Sequence, residues 1–270
     1  MTIRNYTRGD AAEVLRLWNT AGAQTMGYAP QSAEGLDALL LRHPDFSEKH
    51  SFVLTDADGV RGFVSGVTGD ALAQGRVRGY FSCLLLDPAA DSDENTALLL
   101  AALEDSFRAA GKSVAAVTCF NPVRLPWIIP STDGHQHNNM PGIPTDTALY
   151  RRMLALGWVK ATTEQAMHLD LSGFQYPEKM REKERKMAEN GYFVGWYREG
   201  VHQGVDEMVE SLNNSMWSEE IPPAAHNGMR LLVGLEGNTV AGFTGPVYPE
   251  PTGRGYFAGI AVGPGFQNHG

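Results

Sequence analysis

The sequence predicts an α/β protein built on a mixed sheet, and it predicts the same unit twice. Three observations carry this reading. Strand-like and helix-like segments alternate along the whole chain. An almost wholly apolar run, Tyr80 to Leu86, suits a central strand covered on both faces. Two short blocks recur in the same order: Val60-Arg61-Gly62-Phe63 as Val240-Ala241-Gly242-Phe243, and Gly79-Tyr80-Phe81 as Gly255-Tyr256-Phe257, the latter also setting Pro88 on Pro264.

Taken in order, Ile3 to Tyr6 reads as a strand. Gly9-Asp10 opens a helix with Asp10 as N-cap and Ala12, Leu15, Leu17 and Trp18 on a buried face, and Gly22 ends it. A second helix runs from Ser32, its cap, to Arg42, with Pro44 as stop. Phe52 to Leu54 and Val60 to Val67 are strands joined by the turn Ala57-Asp58-Gly59. Ser92 to Ala110 is a helix, since Leu99, Leu103 and Phe107 fall on one face and Gly111 closes it. Ser113 to Cys119 is a strand. Phe120 to Thr145 is an irregular loop punctuated by Pro122, Pro126, Pro130, Pro141 and Pro144; its Trp127, Ile128, Ile129 and Met140 suit a lid or plug. Asp146 to Ala155 is helical, and Val159 to Ala161 and Ala166 to Leu171 read as two closing strands. A charged helix, Glu178 to Asn190, connects to the second series: strand Tyr192 to Tyr197, helix Val205 to Trp217, strands Arg230 to Leu235 and Val240 to Val247, and strand Tyr256 to Val262.

The composition bounds the function. The chain has 270 residues, 43% hydrophobic and 20% charged, with net charge −9 and pI about 5.4. The acidic balance excludes the basic face of a nucleic-acid binder. The two cysteines, Cys83 and Cys119, lie in apolar strands outside any metal-binding pattern, as expected of buried, reduced thiols in a cytoplasmic protein. The polar start carries no signal peptide, and the longest apolar stretch is far short of a membrane span, so no membrane partner is expected. His135 and His137 could chelate in an extended segment, but no second cluster accompanies them and no metal is expected.

At the apolar strand and the loop after it the second series reads Ile260-Ala261-Val262-Gly263-Pro264-Gly265-Phe266-Gln267-Asn268-His269-Gly270. This resembles the GCN5-related N-acetyltransferase family, whose strand ending V-x-P precedes a [Q/R]-x-x-G-x-[G/A] loop that opens a helix. The resemblance covers nearly the whole chain as topology and about ten residues as motif, and the last two motif positions are missing. It implies tandem acyl-CoA N-acyltransferase folds with the second copy incomplete. Residues 1–175 would form a first domain with a degenerate coenzyme A loop, 176–191 a connecting helix, and 192–270 the N-terminal half of a second domain. It further implies acetyl-CoA as substrate, its acetyl group passing directly to a small-molecule or peptide amine with release of coenzyme A. The backbone of Ile260, Ala261 and Val262 would meet the pantetheine arm, and Gln267, Asn268, His269 and Gly270 the pyrophosphate, which helix-terminal and loop N–H groups bind.

The first copy departs from the pattern. Setting Pro88 on Pro264 puts Asp91, Ser92, Asp93 and Glu94 at the phosphate loop. Carboxylates there already satisfy the helix dipole and repel a pyrophosphate, so this copy is expected not to bind coenzyme A. The family's usual tyrosine acid falls on Met153, four before Gly157-Trp158, with Tyr150 one turn earlier; general acid and base are unassigned. Around the acceptor, Trp217, Glu219, Glu220 and Tyr248, with Glu250 beside them, are the candidates to meet an amine. The second copy stops within its loop, which leaves open a fragment, an early stop, or a half-domain completed by a partner. Its exposed strand edge is expected to pair with a second copy of the chain, and this polypeptide alone is expected to be weak or inactive. The alternative function is a non-catalytic scaffold that binds a ligand or partner through the proline-rich loop.

Overall fold

A computed structural model describes every residue except 119, 120, 133, 138, 139, 141, 166, 168, 252 and 268–270. Cys119, Pro141, Ala166, Asn268, His269 and Gly270, all named above, therefore lie outside the described residues. The chain divides into two compact units, Met1–His168 and Leu169–Gly270.

In the first unit β1 (Thr2–Asn5) leads through a single turn into α1 (Ala11–Leu17). Asp10 does not cap α1 as the sequence suggests. Its carboxylate turns back to the backbone N–H of Thr7 at 2.9 Å and to the guanidinium of Arg4 at 2.6 and 2.7 Å. Arg4, first, holds its pKa at about 2 against the opposing effect of burial. Gly22 does not end the helix either. The helix continues with wider turns over Trp18–Met26, and Gly22 is buried within it, where a Cβ would meet Leu85 and Tyr28 at 3.0 and 3.1 Å. The stop is Gly27, in the left-handed region at φ 69°. Ser32 caps α2 (Ala33–Leu36), accepting from the N–H of Gly35 at 3.0 Å, and the helix extends over Asp37–Leu41.

β2 (Ser51–Asp56), β3 (Gly59–Thr68) and β4 (Arg78–Leu86) follow antiparallel, then α3 (Asp93–Ala109) and β5 (Val114–Ala116), which lies parallel to β4. The sheet order is β1-β2-β3-β4-β5. Leu99, Leu103 and Phe107 of α3 sit on a face paved by glycine. A Cβ on Gly66 or Gly79 would fall 2.5 Å from the Phe107 ring, and one on Gly62 3.0 Å from Leu99. Close helix-to-sheet approach is what those glycines provide. Within the loop, β6 (Trp127–Ile128) pairs with β7 (Gln136–His137), while Val123, Leu125, Trp127 and Met140 are buried in the core. The loop thus packs into its own unit. After α4 (Ala148–Ala155) the two expected closing strands are missing from the described residues: Val159, Met167 and Leu169 are 87%, 88% and 70% exposed. Apolar alternation makes a strand only where a sheet edge and a cover exist.

The second unit starts with α5 (Glu178–Glu189), which buries no residue, and β8 (Tyr192–Trp196). The helix expected over Val205 to Trp217 is broken into α6 (Val205–Ser211) and α7 (Ser215–His226). Asn213 takes φ 50° and Asn214 caps α7, its side chain accepting from the N–H of Trp217 at 3.2 Å. Trp217, Glu219 and Glu220 therefore open a helix rather than close one. β9 (Leu232–Glu236), β10 (Thr239–Pro249) and β11 (Gly255–Val262) complete an antiparallel sheet of order β11-β10-β9-β8. Val205, Met208, Val209, Ile221 and Ala225 cover one face through Val233, Leu235 and Phe243.

One irregularity occurs in both sheets. Arg61 is skipped in the β2–β3 register and Ala241 in the β9–β10 register, and these two residues are aligned in the repeated block. Across the second sheet runs an open apolar groove of about 390 Å³, lined by Met187, Val194, Gly234, Thr244, Ile260 and Val262 among others.

Candidate functional site

The strand and turn that carry the motif lie in the second unit. Among the described residues β11 has β10 as its only strand neighbour, so one edge of Ile260, Ala261 and Val262 keeps unpaired backbone groups. Ile260 and Val262 are 69% and 46% exposed. Gly263 ends the strand, buried, with its N–H donating to the carbonyl of Ala241 at 2.8 Å. A Cβ there would crowd Met208 at 3.1 Å and Phe266 at 3.2 Å. Pro264–Phe266 makes one tight turn, and exposed Gln267 reaches the carbonyl of Val262 at 3.4 Å. The turn carries no carboxylate.

Its counterpart in the first unit is closed in two places. Asp91 and Asp93 are both held by Arg152, whose Nε donates to Asp93 at 2.7 Å, and Ser92 caps α3 through the N–H of Asn95 at 3.2 Å. The helix end is thus satisfied by its own side chains. β4 pairs with β5 only over Arg78–Tyr80 and then parts from it, with Ser82 bulged out of the β3 register. Asn121 fills the gap, donating from Nδ2 to the carbonyl of Phe81 at 2.6 Å. The cavity left between Tyr28, Ser82, Asn121 and Leu125 holds about 20 Å³, room for roughly one water.

The acceptor candidates separate into packing and display. Trp217 packs edge-on to Phe243 at 5.5 Å and over Gly259, where a Cβ would fall 2.6 Å from the indole nitrogen. Glu219 is exposed. Glu220 is half-buried and accepts from the Tyr256 hydroxyl at 3.2 Å. Tyr256 stacks on its cross-strand partner Tyr248, ring centroids 4.8 Å apart. Arg254 forks onto Glu250 with both bonds at 2.7 Å. Sequence reasoning singled out Glu220, Tyr248 and Glu250 but missed Tyr256 and Arg254; counting outward from the turn between β10 and β11 would have set the tyrosines opposite each other.

Cys83 is free and buried, and burial pushes its thiol up to about 12. Met153 is packed in the core, and Trp158 donates to Glu104 at 2.9 Å. Among the described residues no three His, Cys, Asp or Glu side chains gather to hold a metal, and no helix is long and apolar enough to cross a membrane.

Near the C-terminal end of α7, His226 bridges two carboxylates, Nδ1 to Glu199 and Nε2 to Asp206, both at 2.9 Å. Glu199, then Asp206, raise its pKa above the usual 6.5. The clasp therefore contributes fully below the unfolded value and is lost as pH rises through the higher folded value. His226→Gln is expected to flatten the pH dependence of amide exchange in α7 over that window, and added salt to weaken it in the wild type.

No family model and no curated protein matches the chain. Solved structures do. A fungal multi-domain GH3 β-N-acetylglucosaminidase contains a region described as a GCN5-related glucosamine N-acetyltransferase. The solved structure of that protein matches this chain with TM-score 0.60 at 17% identity, covering 99% of this chain. The chain has the GCN5-related N-acetyltransferase fold. It spans 32% of that fungal protein. The ribosomal-protein-S18-alanine N-acetyltransferase of Escherichia coli matches 60% of this chain and 79% of its own, at 14% identity and TM-score 0.39. β4 and β11 hold the same place in the strand orders of their respective sheets, and the turns that follow them differ: Asp91 and Asp93 follow β4, whereas Pro264–Phe266 carries no carboxylate.

Proposed function

We propose that this chain is the cofactor- and acceptor-binding part of an acetyl-CoA-dependent N-acetyltransferase, with the cofactor site on the second unit. One observation carries the reading: the turn after β4 is filled by Asp91 and Asp93 under Arg152 and its slot is plugged by Asn121, whereas the turn after β11 is uncharged and its strand edge is open. Ile260, Ala261 and Val262 fit the pantetheine arm, whose amides pair with unpaired strand groups. Gln267 follows the turn, and together with Asn268, His269 and Gly270, which lie outside the described residues, it is assigned to the pyrophosphate from the motif. Backbone N–H groups at such an edge stabilise the oxygen of a thioester as an amine adds to its carbonyl, which is the charge-stabilising part of direct acyl transfer. β10, Thr239–Pro249, carries no carboxylate, so the amine arrives neutral or loses its proton to a group on another element.

The acceptor is an amine, with amino sugars first among those to try because of the region described in the fungal protein. Calorimetric titration of acetyl-CoA into the chain, followed by thiol detection of coenzyme A released with an amine panel, tests the reading. Saturable binding that Asn121→Ala leaves unchanged is expected. No binding up to millimolar acetyl-CoA contradicts it and leaves the scaffold reading.

A further inference from the structure

Glu220 is the one acidic candidate near α7 that combines partial burial with the absence of a cationic partner: among the described residues no Lys or Arg pairs with it, and its contact is the Tyr256 hydroxyl at 3.2 Å. Glu250, close by, is neutralised by the Arg254 fork. Tyr248 lies in the field of both carboxylates: burial first, then Glu220 and Glu250, raise its pKa. The stacked tyrosines are held by strand register and by a tied turn, in which the N–H of Glu250 donates to the carbonyl of Arg254 at 2.7 Å and that of Gly253 to Glu250 at 2.8 Å. Tyr248 remains 39% exposed, so part of its ring faces solvent beside a carboxylate that has capacity for further donors.

We infer that Tyr248, Tyr256 and Glu220 form a binding site for a protonated amine carried on a saturated ring, the aminohexoses being the class that fits. An aromatic face attracts cations through its quadrupole and packs against the C–H face of a saturated ring. An ionised carboxylate takes the ammonium group in a charge-assisted hydrogen bond. The same carboxylate repels anionic ligands, and a neutral sugar gains only the stacking contact. Held rigidly by the hairpin, the pair loses little freedom on binding. As the acceptor subsite this inference rests on the transferase reading; as a cation site it stands without it.

The test uses the full chain and three probes, glucosamine, cyclohexylamine and glucose, followed by ligand-observed NMR and calorimetry without acetyl-CoA. Both amines are expected to bind at least tenfold more tightly than glucose. Glu220→Gln should lower affinity for both amines about tenfold. Tyr248→Ala should weaken binding of both amines. Tyr256→Phe keeps the stack, frees Glu220 of its phenol, and should retain or improve amine binding. Equal binding of glucose and glucosamine, amine affinity unmoved by Glu220→Gln, or no amine binding overturns the site. Acetyl-CoA titrated into the unsubstituted chain separates the two ideas: cofactor binding without amine selectivity sinks this site alone, and amine selectivity without cofactor binding sinks the transferase reading alone.

Discussion

Phe107→Ala is expected to lower the stability of the first unit by about 3–5 kcal/mol, the range for deleting a fully buried phenylalanine. The ring is 2% exposed, and a Cβ on either Gly66 or Gly79 would come within 2.5 Å of it. It also tilts against His50, 5.5 Å between centroids, whose imidazole is hydrogen bonded to Ser106 and Thr68, both at 2.9 Å. Glycines cannot move side chains into the void, so collapse around the alanine is limited and the cost should sit at the upper end. Since a domain's total stability is on the order of 5–15 kcal/mol, this is a large fraction. Urea-dependent amide exchange of β2 and β3, with β9 and β10 as internal reference, measures it. A loss below about 1 kcal/mol would mean that α3 is not held by the glycine-paved face.

Gly263→Val is expected to weaken acetyl-CoA binding at least tenfold. The added Cβ meets Met208 and Phe266, and the N–H to Ala241 that fixes the turn shares that space. Overpacking of this kind costs about 1–3 kcal/mol and displaces backbone, and the displaced backbone is the part proposed to meet the cofactor. Arg152→Ala in the first unit, by contrast, should leave acetyl-CoA affinity unchanged, because freeing Asp91 and Asp93 adds negative charge to a slot that Asn121 still closes.

Periodic features were readable from the sequence and long-range ones were not. Leu99, Leu103 and Phe107 announce α3 by spacing alone, yet the glycines beneath them look like ordinary strand residues until the helix is set on top. Gly22 carries the usual mark of a helix end, but Leu85 and Tyr28 leave room only for glycine there, and the true stop lies at Gly27. Asn213-Asn214 breaks the helix that hydrophobic spacing carries through Trp217, a case of local side-chain chemistry outweighing period. Val159 to Leu171 shows the reverse error, since its pattern suits a strand, yet among the described residues Val159, Met167, Leu169 and Leu171 stay exposed. At the site, the carboxylates of the first loop were legible; the Arg152 that binds them and the Asn121 that plugs the slot come from distant segments and leave no local sign.

The most direct test of the central claim is hydrogen–deuterium exchange of the full chain with and without saturating acetyl-CoA. Protection confined to residues 255–267, with 78–95 unchanged, is the predicted result. Protection over 78–95 would place the cofactor in the first unit, and no protection in either segment would remove acetyl-CoA from the account.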